Sequence, residues 1–199
     1  MRHNFLNTCL LFTAILSFSI VVTFILSIGL VYLFILGHLI SVDNISAAMH
    51  DYINIINYLL NPFVESLTIK HYTLSTTGYI HFADVKHLLM WIEIIMLVTV
   101  GSESYIVYKL RQKQQLWSLR SCLYVLLWIG MPIAFSLAAN FNSLFIAFHK
   151  LIFRNDYWIF DPVKDSVIQL MPENLFMAGS ILLLALYELI SYMMYRRCK

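Results

Sequence analysis

Four long runs of apolar residues constrain the fold of this 199-residue chain more than any other feature. They cover residues 10–36, 88–108, 121–139 and 174–195. An apolar run of about 18 residues or more is typical of a helix that crosses the hydrocarbon core of a bilayer. Charged residues make up only 12% of the chain, about half of their share in soluble domains. The sequence therefore predicts an all-α integral membrane protein, with four transmembrane helices in a single membrane domain.

The positions of Lys and Arg predict the orientation of these spans, because cytoplasmic loops carry an excess of both residues. The cations at the chain ends and in the 109–120 loop are Arg2, Lys109, Arg111, Lys113, Arg120, Arg196, Arg197 and Lys199. The acids in the other two loops are Asp43, Asp51, Glu65, Asp84, Asp156, Asp161, Asp165 and Glu173. We therefore expect both termini and the 109–120 loop in the cytoplasm. The 38–80 and 140–173 loops are then expected on the outer side. A net charge of +2 is too small to indicate nucleic-acid binding.

The two outer loops are expected to form an extracytoplasmic cap. Apolar residues in 45–67 recur at helical spacing, which predicts an amphipathic helix on or in the outer leaflet. Residues 66–73 permit a short strand or extended piece, and 163–170 favour a short helix. The 140–173 loop is rich in aromatic residues, which settle at the level of lipid headgroups. The cysteines Cys9, Cys122 and Cys198 all fall at the cytoplasmic ends of spans or in the tail, so no disulfide is expected in the cap.

Two histidines, His81 and His149, are predicted at the same depth on the outer side. Histidine titrates near neutral pH, so such a pair can supply a general base and a general acid. Asp84 follows His81 by three residues and can orient one ring, while Arg154 can stabilise an oxyanion or bind a lipid headgroup. The structural alternative is that these histidines contact headgroups and that Asp84 and Lys86 are solvated charges.

The sequence lacks the usual nucleophile, phosphate-loop and zinc motifs. Two carboxylates, Glu93 and Glu188, fall inside predicted spans, where a role in helix packing is at least as reasonable as chemistry.

Two segments resemble the Lit family, the bacterial lipoprotein intramolecular transacylases. The longer segment covers residues 148–165 and continues at 170–176, and the shorter one covers 81–86. The four-span layout is similar as well. Many members carry a glutamate a few residues before the first histidine, where this chain has Gly78 and Tyr79.

The resemblance implies a plasma-membrane acyltransferase of bacteria that acts on a diacylated lipoprotein in the lipid bilayer. The enzyme moves the sn-2 acyl chain from the glycerol oxygen to the α-amine of the N-terminal cysteine, which gives the lyso-form lipoprotein. His81 and His149 would be catalytic, with no metal and no other cofactor. The supporting residues would be Asp84, Arg154, Asn155 and Asp156, and the substrate-binding residues would be Tyr79, Phe148, Trp158 and Asp165.

Two other functions fit the residues. One is a metal-dependent membrane lipid hydrolase, in which His81, His149 and acids such as Asp84, Asp156 or Asp165 hold zinc. The other is a non-catalytic membrane subunit that binds lipid or a partner through the aromatic cap.

Overall fold

The structure, a computed structural model, describes residues 2–198, and it describes side chains from Phe5 onward. Arg2 and Lys199, two of the cations used to predict the orientation, have side chains outside this part of the chain. The six α-helices are α1 (Arg2–Leu36), α2 (Ile45–Leu60), α3 (Thr76–Gln112), α4 (Arg120–Ala139), α5 (Phe141–Ile152) and α6 (Glu173–Arg197). Short 3₁₀ helices cover Leu116–Leu119 and Ser166–Leu170.

Four helical segments are long and apolar enough to cross a membrane, namely Phe5–Leu36, Thr76–Gln112, Leu116–Ala139 and Glu173–Arg197. This confirms the predicted all-helical membrane protein with four spans. Helix α3 has 37 residues and is therefore about 55 Å long. The hydrocarbon core is only about 30 Å thick, so part of α3 extends beyond it. The helix begins at Thr76, well before the predicted span of 88–108, and this early part carries His81.

Contacts between residues divide the chain into two compact units. The first unit contains the described residues of Met1–Val22, Trp91–Ala139 and Ile181–Lys199. Its core is formed by Leu11, Ile15, Leu119, Cys122, Leu123, Leu126, Tyr187 and Cys198. Gly130 of α4 faces Glu188 of α6 so closely that a side chain at position 130 would collide with the Glu188 carboxylate. Glu188 therefore packs against the backbone of α4 at this glycine.

The second unit consists of Thr23–Met90 and Asn140–Ser180 and contains both candidate catalytic histidines. The predicted amphipathic helix is present as α2, and it is capped by Asn44, whose side chain accepts a hydrogen bond from Ala47 N. Its apolar face is buried by protein, as shown by Ile55 and Leu59. Tyr52 Oη donates to Ser27 Oγ of α1 at 2.9 Å. Protein contacts therefore cover the face that was expected to lie on or in the leaflet.

The segment between α2 and α3 is irregular, where the sequence permitted a strand or extended piece. The buried Asp51 carboxylate accepts hydrogen bonds from the backbone N–H groups of Lys70, His71 and Tyr72. Burial acts to raise the pKa of Asp51, but hydrogen bonds from His50 and these amides outweigh it, so the pKa is lowered. The segment's amides are thus satisfied by a side chain of α2, which replaces a strand partner.

Two polar contacts fix the start of α3. Ser75 Oγ accepts from Gly78 N at 3.1 Å, which is the geometry of a helix N-cap. Ser75 N in turn donates to Asp165 Oδ1 at 2.6 Å. The loop between α5 and α6 therefore holds the end of the helix that carries His81. In that loop, the helix expected over 163–170 is present as the shorter 3₁₀ helix Ser166–Leu170.

Candidate active site

The two histidines singled out from the sequence lie side by side in the second unit. His81 is in the second turn of α3, and His149 is in the last turn of α5. Their ring centroids are 6.0 Å apart, although 68 residues separate them in the chain. His81 is 7% exposed, and His149 is half-buried. The fold thus places two titratable rings within reach of one small reacting group.

Aromatic side chains surround both imidazoles. The centroid of His81 lies 4.9 Å from Phe153 and 5.7 Å from Phe160. The centroid of His149 lies 4.1 Å from Phe145 and 4.9 Å from Trp158. These rings exclude water and lower the local dielectric constant, which strengthens any electrostatic interaction with a bound substrate.

The hydrogen bonding of His149 defines its tautomer. Its Nδ1 lies 2.8 Å from the carbonyl oxygen of Phe145, one helical turn earlier. A carbonyl can only accept, so Nδ1 carries the proton, and the neutral ring keeps its lone pair on Nε2. Burial lowers the pKa of His149, and the bond to Phe145 opposes this only in part. The neutral, proton-accepting form is therefore favoured.

Two buried nitrogen atoms at the pair have no hydrogen-bond partner among the described residues. They are Nδ1 of His81 and Nε1 of Trp158. The indole N–H can only donate, and leaving a buried donor unpaired costs about 1–3 kcal/mol. Such atoms are typical of a site whose hydrogen bonds are completed by a ligand.

Asp84 is bound by Asn155. Asn155 Nδ2 donates to Asp84 Oδ2 at 3.1 Å, while Asn155 Oδ1 accepts from Tyr157 N at 3.1 Å. Asp84 was expected to orient a histidine ring, but in the described part of the chain its hydrogen-bond partner is this amide. The pair joins α3 to the turn that follows α5.

A pocket of about 340 Å³ adjoins this link. It is lined by Asp84, His87, Leu88, Ile152, Phe153, Arg154 and Asn155. His87 was not among the residues singled out from the sequence. Its three-residue spacing from Asp84, which puts both side chains on one face of α3, is the signal that could have identified it.

The other predicted site residues differ in their surroundings. Tyr79 and Phe148 are 39% and 49% exposed, and Asp156 is exposed in a turn, where its carbonyl accepts from Ile159 N. Asp165 is buried, and its carboxylate accepts from the backbone of Ser75 and Asp161. Both carboxylate oxygens of Asp165 therefore already accept hydrogen bonds from backbone amides.

The pair also does not form a metal cluster with the acids proposed for zinc. Within residues 2–198, the group whose ligand atoms are close enough to share an ion is His50, Asp51 and His71. The geometry around His81 and His149 therefore gives no support to the metal-dependent hydrolase.

A family model and three solved structures that match this chain carry the same description. A family model described as "Lipoprotein intramolecular transacylase Lit" matches residues 5–176. The chain is similar to the solved structure of this transacylase from Bacillus cereus, with a TM-score of 0.84 and 26% identity over 99% of this chain and 96% of that one. Two more structures of the Bacillus cereus protein, with a histidine replaced by arginine or by alanine, give TM-scores of 0.78 at 26% identity over 99% and 92%. No curated protein matches the sequence.

Proposed function

Because the chain belongs to the Lit family and is a multi-pass membrane acyltransferase, a lipoprotein intramolecular transacylase, we propose that His81 and His149 carry out the proton transfers of its reaction. The substrate is a diacylated lipoprotein whose N-terminal cysteine bears a diacylglyceryl thioether. The sn-2 acyl chain moves to the cysteine α-amine, which leaves a free hydroxyl on the glycerol. The adjacency of the two imidazoles is the observation that carries this proposal.

His149 acts as the base. The amine nitrogen attacks the ester carbonyl carbon and forms a tetrahedral intermediate, and Nε2 of His149 accepts the proton that the nitrogen loses. The C–O bond to glycerol then breaks as the proton on His149 passes through one bridging water to one nitrogen of the neutral His81 ring, and the other nitrogen of that ring gives its proton to the departing oxygen. A ring separation of 6.0 Å accommodates the water, and both rings end neutral. The assignment of the base follows from the Nδ1 contact with Phe145.

The lack of a serine or cysteine nucleophile motif is consistent with this chemistry. Amine and ester belong to one bound molecule, and effective molarities of well-oriented intramolecular reactions reach about 10⁵–10⁸ M. The protein has to hold the two groups together, move protons and stabilise the oxyanion. Neither an acyl-enzyme nor a second lipid donor is needed.

Trp158 is the donor that we assign to the oxyanion. Its indole N–H is buried without a partner, and its ring lies beside that of His149. Asn155, which was also a candidate, already donates to Asp84. Asp84 and Asn155 are therefore positioning residues that fix the turn carrying Trp158. Arg154, which lines the adjoining pocket, contacts a polar group of the glyceryl or peptide part.

The remaining predicted residues have simpler parts in this proposal. Tyr79 and Phe148 expose aromatic surface to the acyl chains, and Asp156 supports the turn after α5. The second unit forms an extracytoplasmic cap, with both chain ends in the cytoplasm. The charge distribution between the loops supports this orientation.

The test is conversion of a lipoprotein in a bacterial host that makes only the diacylated form. Tandem mass spectrometry of the N-terminal lipopeptide locates the acyl chain, because the transfer leaves the total mass unchanged and adds the chain to the amine fragment. His81→Ala and His149→Ala should each slow conversion by about 10²–10⁴-fold, the usual contribution of a general acid or base. Trp158→Phe removes only the N–H donor and should cost up to about 10²–10³-fold.

The matched control is His38→Asn, at an exposed histidine of the same unit in the turn after α1, where asparagine tolerates the positive φ of 56°. It should convert the lipoprotein at the wild-type rate. Full activity of both His81→Ala and His149→Ala, at equal protein levels in the membrane, would remove the assignment.

A further inference from the structure

A second histidine cluster is present in the second unit, and the reaction described above does not use it. His50 and Asp51 belong to α2, while His71 lies in the irregular segment between α2 and α3. One nitrogen from each histidine and one carboxylate oxygen all lie within 4.8 Å of one another. The two imidazole rings are 5.6 Å apart and nearly perpendicular, at 86°.

These distances are close to what one metal ion requires. Bonds of about 2.0–2.1 Å in a tetrahedral site put neighbouring ligand atoms about 3.3 Å apart. His50 Nδ1 and Asp51 Oδ1 are already 3.0 Å apart. The side chain of His71 is exposed, so it can rotate without disturbing packed neighbours and bring its nitrogen the remaining ångström or so closer to the other two ligand atoms.

The carboxylate is held in place before any ion arrives. Asp51 is fully buried, and three backbone amides of the segment that contains His71 donate to its oxygens. These amides act as the outer hydrogen bonds that orient a metal ligand. Most of them converge on Oδ2, whereas Oδ1 also faces His50. Oδ1 is therefore the oxygen placed to join the two imidazoles around an ion.

An ion can reach this position from solvent. His71 lines an open pocket of about 550 Å³, and Asp43 lines the same pocket. The Asp43 carboxylate raises the local concentration of cations, and the pocket leaves room for the waters that complete the coordination. Two imidazoles with one carboxylate suit zinc, nickel, copper or cobalt, and they suit the harder magnesium and calcium ions poorly.

We propose that His50, Asp51 and His71 bind one divalent transition-metal ion at a site separate from the histidine pair of the acyl transfer. A bound ion joins α2 to the segment that leads into Ser75 and the start of α3. It therefore stabilises the segment preceding the helix that carries His81.

The test uses full-length protein purified in detergent with a tag that contains no histidine, treated with chelator and then titrated with Co²⁺. Absorption in the visible range reports the ligand field, and calorimetry gives the stoichiometry. We expect one equivalent to bind tightly. His71→Ala should weaken the binding by at least about tenfold, since even outer residues of metal sites contribute 10–100-fold. The substitution keeps the backbone N–H that donates to Asp51, so the segment retains its anchor.

Two controls separate this site from the catalytic pair. The His81→Ala/His149→Ala double variant should keep the cobalt spectrum, and His50→Ala should lose it. In thermal melts, Zn²⁺ should raise the midpoint of the wild type and leave His71→Ala unchanged. The proposal is overturned if no Co²⁺ binds below about 1 mM, the affinity range of the weakest physiological metal sites. It is also overturned if binding survives in His71→Ala and disappears in the double variant.

Discussion

Lys86 offers a quantitative test of how the second unit is held together. Its side chain is only 7% exposed, and Nζ donates to the carbonyl oxygens of Tyr58, Asn61 and Val64. Nζ also lies 4.4 Å from the centroid of the Tyr58 ring. A cation of α3 therefore binds carbonyls of the last turn of α2 and of the residues that follow it, at the helix end where a positive charge is favoured.

The substitution Lys86→Met keeps the length of the side chain and removes all three donors. Each hydrogen bond to a charged group contributes about 1.5–3 kcal/mol, so the sum is an upper bound of about 4.5–9 kcal/mol. Two effects make the loss of stability smaller than this upper bound. The ammonium no longer has to be desolvated, and water can reach the half-exposed Asn61 and Val64. The buried carbonyl of Tyr58 still pays the full cost of an unpaired buried acceptor. We therefore expect a net loss of about 3 kcal/mol in the free energy of unfolding.

For a chain of this size, 1 kcal/mol corresponds to about 2–4 °C in the melting midpoint, so Lys86→Met should melt about 6–12 °C lower. Intrinsic tryptophan fluorescence in detergent measures the midpoint, at one scan rate for all variants because unfolding of membrane proteins is often irreversible. Lys70→Met is the matched control, since its side chain is exposed and its backbone N–H still donates to Asp51. Equal midpoints for the two variants would refute the reasoning.

Two further predictions concern the active site. Burial lowers the pKa of His149 below the ordinary value of 6.5. Because a base is inactive when protonated, kcat at saturating substrate should be maintained as the pH falls through 6.5 and should decline only below that pH. A decline centred at or above pH 6.5 would contradict the assignment of His149 as the base. Asp165→Asn places an amide donor against the backbone donors of Ser75 and Asp161, and it should lower the free energy of unfolding by about 1–3 kcal/mol with KM unchanged. An increased KM with an unchanged melting midpoint would instead identify Asp165 as the substrate ligand expected from the sequence.

The features that the sequence predicted well depend on neighbouring residues. Spans follow from continuous apolar runs, and α2 follows from a period of 3.6 residues. Asn44 and Asn140 precede α2 and α5 and cap them, each accepting from the amide three residues later. Each of these signals lies within a few residues of the structure that it specifies.

The features that were missed depend on contacts between distant segments. Asp51 and its amide donors are 19–21 residues apart, and Lys86 reaches carbonyls 22–28 residues earlier. From neighbouring residues alone, Lys86 was interpreted as a candidate solvated charge and Asp51 as an acid of a loop expected on the outer side. A polar residue's partner depends on the chain fold, so composition and periodicity cannot identify it. The same limit explains why Asp84 was paired with a histidine, whereas Asn155, 71 residues later, donates to it.

In the proposed reaction the two imidazoles have different roles, and the order of proton transfer that we propose follows from a difference in their hydrogen bonding. His149 donates to a carbonyl of its own helix, so the tautomer that leaves Nε2 free is present whenever α5 is formed. Among the described residues, Nδ1 of His81 has no such bond, and the aromatic rings of Phe153 and Phe160 contact this imidazole. A ring with both nitrogens uncommitted can exchange its proton between tautomers without breaking a hydrogen bond to the protein. The fixed ring is thus suited to accept the first proton from the amine, and the uncommitted ring is suited to take up that proton at one nitrogen while it releases one to glycerol from the other.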